Sequence, residues 1–189
     1  MEMRILKKLY LTNKDIETGA LEISRGMTKD NFKPDYIVGI TRGGLPLAVM
    51  LSHYLDVSMH TLDVRLRDGD SQESNSWMAA DAIGIPNWER QAGRICKNIL
   101  IVDDINDTGA TFNWIKNDWE QSCSPGDKTW KTIWGKNVKF ATVVNNLGSS
   151  FDIQYSSIEV NKTEEDLWIV FPYEEWWKTP LTTSQGMVV

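Results

Sequence analysis

The chain lacks the features that mark secreted and membrane-spanning proteins. Its two cysteines, Cys96 and Cys123, provide neither a disulfide framework nor a set of zinc ligands, so a reducing compartment is the simplest context. No run of about eighteen apolar residues occurs, as a transmembrane helix would need. The N-terminal stretch MEMRILKKLYLTNKD has no signal-peptide core. We therefore expect a cytoplasmic protein with no membrane partner.

Basic patches are also missing. The chain carries 26 acidic and 20 basic residues, a formal net charge of -6, and its lysines and arginines do not cluster. Non-specific binding to nucleic acid depends on basic patches that displace counterions from phosphates, so no nucleic-acid partner is expected. A small anionic ligand that carries its own metal ion is compatible with this charge. The length of 189 residues and the 41% hydrophobic content fit a single globular domain over residues 1–189.

Strand-like and helix-like patterns alternate along the chain. The capping spacing from Thr12 to Asp15, followed by apolar residues at helical intervals, predicts a first helix. A second helix is predicted around Pro46, and a third from about Thr108 to Trp119. The apolar segments expected to enter the core as strands are YIVGI (36–40), residues 58–65, ILIV (99–102), VKFATVV (138–144) and LWIVF (167–171). The alternation predicts an α/β fold with a mostly parallel twisted sheet flanked by helices.

Two segments give no clear pattern. Residues 66–97 are polar and aperiodic, which predicts a lid or a disordered stretch. Residues 117–136 stay unassigned, although Trp119, Trp130 and Trp134 fall within them. These tryptophans could form a small core of their own or a contact between subunits, where tryptophan is enriched. The second alternative leads to the prediction of a homodimer or homotetramer.

The most informative stretch is NILIVDDINDTGATF, residues 98–112. Four large aliphatic residues in a row indicate a strand buried on both faces, so the aspartates that follow lie at its carboxyl end, where α/β sheets bind ligands. If a helix begins near Thr108, the backbone N–H groups of Gly109, Ala110 and Thr111 form a cradle for a phosphate. Carboxylates would repel that phosphate, so Asp103 and Asp104 must hold sugar hydroxyls or a divalent cation.

A simpler interpretation of this stretch is a strand that ends in solvated acids and a helix cap. The fixed spacing from Asp107 through Thr-Gly-Ala-Thr favours the ligand site over that interpretation. Other chemistries have little support, since Gly135-Lys136 lacks a Walker loop and His53 and His60 do not have metal-ligand spacing. A sugar phosphate accompanied by a metal ion meets each requirement of the motif.

ILIVDDINDTGAT closely resembles the phosphoribosyl pyrophosphate signature of the type I phosphoribosyltransferases. An aspartate before Thr-Gly, here Asp107, is similar to the signature of the 6-oxopurine branch of that family. VGITRGGLPLAVML resembles the family's pyrophosphate loop, and EDLWIVFPYEEW is similar to the purine-binding segment of the xanthine-guanine enzymes. The resemblance implies the family's α/β fold, with a small hood and a flexible active-site loop. It also implies magnesium-dependent transfer of the 5-phosphoribosyl group from phosphoribosyl pyrophosphate to a purine base, with release of pyrophosphate and formation of a nucleoside monophosphate.

The resemblance also implies a role for each residue of the two phosphate-binding segments. Arg42 would bind the pyrophosphate with the amides of Gly43 and Gly44, because a guanidinium fork suits phosphate oxygens and glycines let the backbone approach closely. The peptide bond between Thr41 and Arg42 would be cis. The acids Asp103 and Asp104 would hold the ribose hydroxyls and Mg²⁺, and the 5′-phosphate would lie on Thr108, Gly109, Ala110 and Thr111.

The residues expected to face the base follow from the same resemblance. Asp107 would act on the purine near N7 as the general base or by orienting it, Trp168 would stack on the ring, and the backbone of Ile169 would read its far edge. Asn146 occupies the position where the family has a lysine over the 6-oxo group. An amide can donate to a carbonyl or accept from an amino group, so the choice between oxo and amino bases stays open. By the same resemblance, Glu174 aligns with an acidic residue that in members of the family helps to bind the metal ion or its water.

The simpler alternatives are a Trp168 that belongs to the core and a Glu174 that is a solvated surface residue. A regulator that keeps the fold as a phosphoribosyl pyrophosphate sensor is the competing function, together with a transferase for a non-purine base. A sensor needs the ribose and phosphate contacts but not a residue that faces the base, so the presence of Asp107 favours an enzyme.

Overall fold

Strands and helices alternate along the chain in the computed structural model, which describes residues 7–64, 66, 75–85, 95–174 and 176–178. The strands are β1 (Lys7–Tyr10), β2 (Tyr36–Thr41), β3 (Ser58–Asp63), β4 (Ile99–Asn106), β5 (Val138–Asn146), β6 (Tyr155–Val160) and β7 (Leu167–Val170). The α-helices are α1 (Asn13–Lys29), α2 (Leu45–Leu55), α3 (Ser76–Ile83), α4 (Ala110–Ser122) and α5 (Trp130–Ile133), and a 3₁₀ turn follows at Trp176–Lys178.

The main sheet is parallel throughout. Its five strands lie in the order β3-β2-β4-β5-β6, and β1 pairs with β7 in a separate two-stranded parallel sheet. The chain leaves β2 toward β3 on one side and returns to β4 on the other, so the strand order reverses between β2 and β4. Loops that follow such neighbouring strands diverge and leave a crevice at the carboxyl edge. The predicted α/β fold with a mostly parallel sheet is confirmed.

Strand β4 lies at the centre of this sheet and is covered on both faces. Its first four residues, Ile99 to Val102, are fully buried. Ile99 and Ile101 pack into the core under α3, α4 and α5, whereas Leu100 and Val102 pack into the core under α1 and α2. Side chains alternate between the faces of a strand, so a strand enclosed by two helical layers must be apolar at every position. Burial on both faces therefore explains why Ile99 to Val102 form a continuous aliphatic run in the sequence.

Helices α1 and α2 cover one face of the sheet. Thr12 and Asp15 form the expected capping box at the start of α1, with the Thr12 hydroxyl accepting from the Asp15 amide and the Asp15 carboxylate accepting from the Thr12 amide. Pro46 lies in the first turn of α2, where its missing N–H group costs no helical hydrogen bond. The sequence predictions for both helices are confirmed. In the described part of the chain, no helix combines the length and the apolar composition that crossing a membrane requires.

The prediction that residues 66–97 have no regular structure is wrong for one part of that segment. Helix α3 occupies Ser76–Ile83 and buries Met78, Ala82 and Ile83 in the core. Its eight residues are too few for a helical period to stand out in the sequence, and it ends at Gly84, whose φ of 65° suits glycine. Residues 67–74 and 86–94 lie outside the described residues, and so does the lid expected there.

The tryptophans of residues 117–136 belong to the core of this chain. Trp119 and Trp130 are buried on the second face of the sheet, and Trp134 stacks on Trp130 with ring centroids 5.5 Å apart. These tryptophans thus pack into the main core on this face of the sheet and do not form a small core of their own. Strands β1 and β6 were not expected from the sequence. Strand β6 lies at the sheet edge and carries Ser156, Ser157 and Glu159, so it lacks the apolar run that marks a central strand.

Replacing Ile83 with alanine should lower the free energy of unfolding by about 2 to 5 kcal/mol, because it leaves a cavity under a fully buried side chain. Leu21→Ala removes a side chain that is 41% exposed on α1, and serves as the matched control. We expect that control to cost less than about 1 kcal/mol. Urea unfolding of both variants measures the difference, and equal small losses would mean that α3 does not pack into the core.

Candidate active site

A cavity of about 400 Å³ opens at the carboxyl edge of the main sheet. Its walls come from the end of β4, the start of α4, the loop after β6 and strand β7. The residues that line it are Val64, Leu66, residues 103–112, Lys162, Trp168, Ile169, Phe171 and Glu174. Most of the residues expected to bind substrate therefore meet at one place, as the shared edge of parallel strands requires.

The loop after β2 lies directly against the acidic end of β4. The peptide bond between Thr41 and Arg42 is cis, as the resemblance implied, and the Arg42 side chain is exposed. A Cβ atom on Gly43 would overlap the Asp104 carboxylate, and one on Gly44 would overlap the carbonyl oxygen of Val102. Glycine is required at Gly44 because the clash there is with backbone, and a side chain at Gly43 would displace the Asp104 carboxylate.

Asp103 and Asp104 are adjacent, half-buried carboxylates. Burial raises the pKa of Asp103 well above its ordinary value, and the negative charge of Asp104 raises it further. Burial also raises the pKa of Asp104, with a contribution from Glu174, while a hydrogen bond from Tyr173 partly offsets the shift. Both shifts indicate that the site disfavours two negative charges in the absence of a cation or of hydroxyl donors.

These carboxylates have the chemistry that Mg²⁺ prefers, since both supply oxygen ligands and gain from a nearby positive charge. No group of three histidine, cysteine or acidic side chains in the described residues could hold a metal by itself. A magnesium ion here would therefore need oxygens from substrate or water, as is usual for this ion. Glu174 lines the same cavity, but its Oε2 atom already accepts from the Phe171 amide at 3.0 Å.

A phosphate cradle forms where β4 turns into α4. The helix begins at Ala110 after an N-cap at Gly109, whose φ of 82° favours glycine. A Cβ atom there would also lie 2.7 Å from the backbone nitrogen of Phe151. Residues of the first turn of α4 line the cavity together with Thr108, and the first N–H groups of a helix have no partner within it. The Ala110 amide donates to the Thr108 hydroxyl at 3.3 Å.

The segment after β5 forms hydrogen bonds with the end of β4 and with Thr108, and these hold the turn into α4 in place. The carbonyl oxygen of Thr108 accepts from the Ser150 amide at 3.1 Å and from the Ser150 hydroxyl at 2.7 Å. The buried Asn106 side chain donates to the carbonyl oxygen of Phe151 at 2.8 Å and accepts from the Ser149 hydroxyl at 2.8 Å. Neither Asn106 nor the two serines were predicted as site residues, because their role depends on a contact between two strand ends.

The same cavity is lined by Asp107 and by an exposed aromatic ring, that of Trp168. Trp168 is 47% exposed and lines the cavity, whereas its neighbour Ile169 is buried. Asp107 accepts a hydrogen bond from the Lys162 ammonium, with 2.8 Å between Nζ and Oδ2. Lys162 was missed in the sequence because β6, the strand that delivers it, was missed. A lysine just past a strand of a parallel sheet is the signal that would have found it.

Asn146 is positioned differently from the other expected residues, since it does not line this cavity. Its side chain is buried, donates to the carbonyl oxygen of Asp107 at 2.9 Å and accepts from the Lys162 amide at 3.0 Å and the Gly148 amide at 3.2 Å. These bonds occupy both ends of the amide within the protein. The expectation that Asn146 faces the base thus has no support in this geometry.

Tyr173 connects the loop after β2 to the acidic pair. Its hydroxyl lies 3.0 Å from Oδ2 of Asp104 and 3.0 Å from the carbonyl oxygen of Gly43. Burial and the neighbouring Asp104 charge raise the pKa of Tyr173, so the phenol stays protonated and donates to one of these oxygens. The sequence indicated no such role, because an apolar aromatic in FPYEE fits the core equally well.

An acidic strand end, a glycine loop and a helix N-terminus meet at the switch point of a parallel sheet. These features define a class of α/β proteins that bind a phosphorylated ligand bearing hydroxyl groups. A model of the phosphoribosyl transferase domain matches residues 8–178 of this chain, and the chain belongs to that family.

Two solved structures are similar over nearly their whole length. The chain is 28% identical to a purine phosphoribosyltransferase from Pyrococcus horikoshii, with a TM-score of 0.60 and coverage of 92% of this chain and 97% of the other. It is 17% identical to the xanthine-guanine-hypoxanthine phosphoribosyltransferase of Helicobacter pylori, with a TM-score of 0.61 and coverage of 90% and 96%. The second likeness establishes the fold alone.

Replacing Asp103 with asparagine should stabilise the ligand-free protein, because the change removes one of two adjacent, partly buried charges. Changes of this kind at functional sites commonly add about 1 kcal/mol, or about 2 to 4 °C in Tm for a chain of this size. Thermal melts at pH 7 measure the gain, with the exposed Asp152→Asn as a control. Millimolar Mg²⁺ should raise the Tm of the wild type more than that of Asp103→Asn. An equal response would place the metal elsewhere.

Proposed function

We propose that the protein transfers the 5-phosphoribosyl group of phosphoribosyl pyrophosphate to a purine base, releasing pyrophosphate and forming a nucleoside monophosphate. The observation that carries the proposal is that a helix N-terminus, two carboxylates and an exposed tryptophan line one cavity. These groups suit a phosphate, a ribose with its hydroxyls and a flat base, respectively. The 28% identity to a purine phosphoribosyltransferase supports a purine as the acceptor.

In this proposal the substrate spans the cavity from α4 to β7. The 5′-phosphate binds the amides of Gly109, Ala110 and Thr111 and the hydroxyls of Thr108 and Thr111. Asp103 and Asp104 accept hydrogen bonds from the ribose hydroxyls. The base lies on Trp168 with Asp107 at one edge and the backbone of Ile169 at another.

Transfer breaks the bond between C1′ and a pyrophosphate oxygen while a ring nitrogen of the base forms a new bond to C1′. The electron pair leaves with pyrophosphate, and Arg42 with the amides of Gly43 and Gly44 binds the charge that develops there. Positive charge develops on the sugar and is stabilised by the nearby carboxylates. Asp107 accepts a hydrogen bond from the N–H group of the base and orients the ring, which is its main contribution because a carboxylate is a weak base near neutral pH. As the new bond to C1′ makes that N–H group acidic, its proton passes to Asp107 and then to water.

The proposal includes Mg²⁺ held by Asp103 and Asp104, with Glu174 binding the ion or its water. When bound, the ion would neutralise pyrophosphate and make it a better leaving group. A cytoplasmic location, a single domain over residues 1–189 and a homodimer or homotetramer complete the proposal. Both cysteines are free thiols, which supports a reducing compartment.

A panel of purine and pyrimidine bases, assayed with phosphoribosyl pyrophosphate and Mg²⁺, tests this function. We expect pyrophosphate release with at least one purine and none with uracil or orotate. Calorimetry of phosphoribosyl pyrophosphate binding accompanies the assay. Binding without turnover of any base would instead support a regulator that senses this metabolite.

Changing Asp107 to asparagine should lower kcat by about 10² to 10⁴-fold, the usual contribution of general acid-base help. The affinity for phosphoribosyl pyrophosphate should change little, because the side chain faces the base end of the cavity. Steady-state kinetics combined with calorimetry separate the two effects. Equal losses in turnover and in affinity for phosphoribosyl pyrophosphate would place Asp107 at the sugar instead.

A further inference from the structure

Lys162 is a cation inside the cavity that neither the sequence patterns nor the phosphate chemistry requires. It follows β6 and lines the same cavity as Asp107 and Trp168. Its side chain is 22% exposed, and that of Asp107 is 27% exposed, so the ion pair between them is largely shielded from water. A long side chain held in this way costs conformational entropy, which suggests a task beyond a surface ion pair.

The backbone of Lys162 is held in place by Asn146. The Oδ1 atom of Asn146 accepts from the Lys162 amide at 3.0 Å, and its Nδ2 atom donates to the carbonyl oxygen of Asp107 at 2.9 Å. One amide thus connects the chain at Lys162 to the chain at Asp107, and fixes the distance between their side chains. Asn146 is only 7% exposed, so these bonds do not compete with bulk water.

A close contact between two loops supports the same arrangement. A Cβ atom on Gly148 would lie 2.6 Å from the Thr163 side chain, so a larger residue in the loop after β5 would have to push that side chain of the loop after β6 aside. The amide of Leu147 donates to the carbonyl oxygen of Val160 at 2.8 Å and continues the strand pairing up to this point. Lys162 therefore projects from a packed segment and not from a free surface loop.

The ion pair presents a defined pattern of hydrogen-bonding groups to a base lying on Trp168. Asp107 offers carboxylate acceptors, and the ammonium of Lys162 has three donors and no acceptor. A 6-oxopurine carries its oxygen next to N7 on one edge, whereas a 6-aminopurine carries an NH₂ donor there. With N7–H donating to Asp107, the neighbouring Lys162 can keep one N–H group on Asp107 and donate another to the 6-oxo group.

We propose that Lys162 is the residue that makes this site select 6-oxopurines over 6-aminopurines, and that Asn146 is the positioning residue that holds Lys162 in place. The inference rests on the proposed purine transfer and deepens it. It assigns the choice between oxo and amino bases to the loop after β6, not to the end of β5. A 6-amino group would face a donor-only ammonium, and neither group could accept a hydrogen bond from the other, which is costly in a shielded site.

The test compares Lys162→Met with the wild type on hypoxanthine and adenine. Loss of a charged hydrogen bond should lower kcat/KM for hypoxanthine about ten- to a hundredfold, while kcat/KM for adenine stays the same or rises. Calorimetry should show the same change in the relative affinities for inosine and adenosine monophosphate. Lys128→Met, an exposed lysine of the segment between α4 and α5, serves as the matched control and should leave both ratios unchanged.

A second variant tests the role of Asn146. Asn146→Ala should reduce the preference for hypoxanthine in the same direction as Lys162→Met, and the double variant should add little to Lys162→Met alone. A merely structural role would lower both activities together, lower Tm and leave the preference intact. Thermal melts of each variant identify loss of fold, and Lys162→Gln provides a second neutral side chain if the methionine variant is unstable.

The outcomes separate this inference from the proposed function. If Lys162→Met lowers activity with hypoxanthine and adenine equally, Lys162 acts through Asp107 and the inference is wrong although purine transfer holds. If the wild type turns over neither base, the proposed function fails. The nucleotide affinities then decide the inference by themselves, because an unchanged ratio between inosine and adenosine monophosphate in Lys162→Met would overturn it.

Discussion

The contact between Gly43 and the Asp104 carboxylate is the constraint on which the rest of the site depends. Strands β2 and β4 are neighbours in the sheet, and the chain continues from them in opposite directions. The loops that follow them are therefore close together at the strand ends, where the site forms. A side chain at Gly43 would displace the Asp104 carboxylate. Tyr173 closes this contact from the side of β7 by reaching both Gly43 and Asp104. The glycine loop and the acidic pair are thereby held in adjacent places by contacts within the protein itself.

The fold holds the carboxylates of Asp103 and Asp104 in positions where their negative charges are unfavourable. Burial raises the pKa values of Asp103 and Asp104, and the charge of a neighbouring carboxylate adds to each shift, that of Asp104 for Asp103 and that of Glu174 for Asp104. The site therefore disfavours these negative charges by itself. The sheet can tolerate this cost because β4 is fully buried between two helical layers up to Val102. A ligand that brings hydroxyl donors or a cation relieves the repulsion, so binding gains from a preorganised site. The buried parallel sheet keeps the two carboxylates in these positions.

Strand β4 and the start of helix α4 could be predicted from local sequence. The aliphatic run before Asp103 predicted a doubly covered strand, and the glycine and threonines after Asp107 predicted the helix start, because both depend on neighbours in the chain. Helix α3 was missed since its eight residues are too short to display a period. Strand β6 was missed since an edge strand carries polar residues on its exposed face.

The sequence by itself determined which chemical groups are available at the carboxyl edge: the acids, the phosphate cradle and the glycine loop, each formed by residues close together in the chain. Only the tertiary structure decided which further side chains line the cavity beside these groups. Asn146 pairs in register with Val160, so the chain reaches Lys162 just beyond the strand end and brings it to Asp107, 55 residues earlier in the sequence. Strand register depends on pairing between distant segments, and no local pattern records it. For this reason a lysine that the sequence left unremarked lies in the cavity, while Asn146 lies behind it.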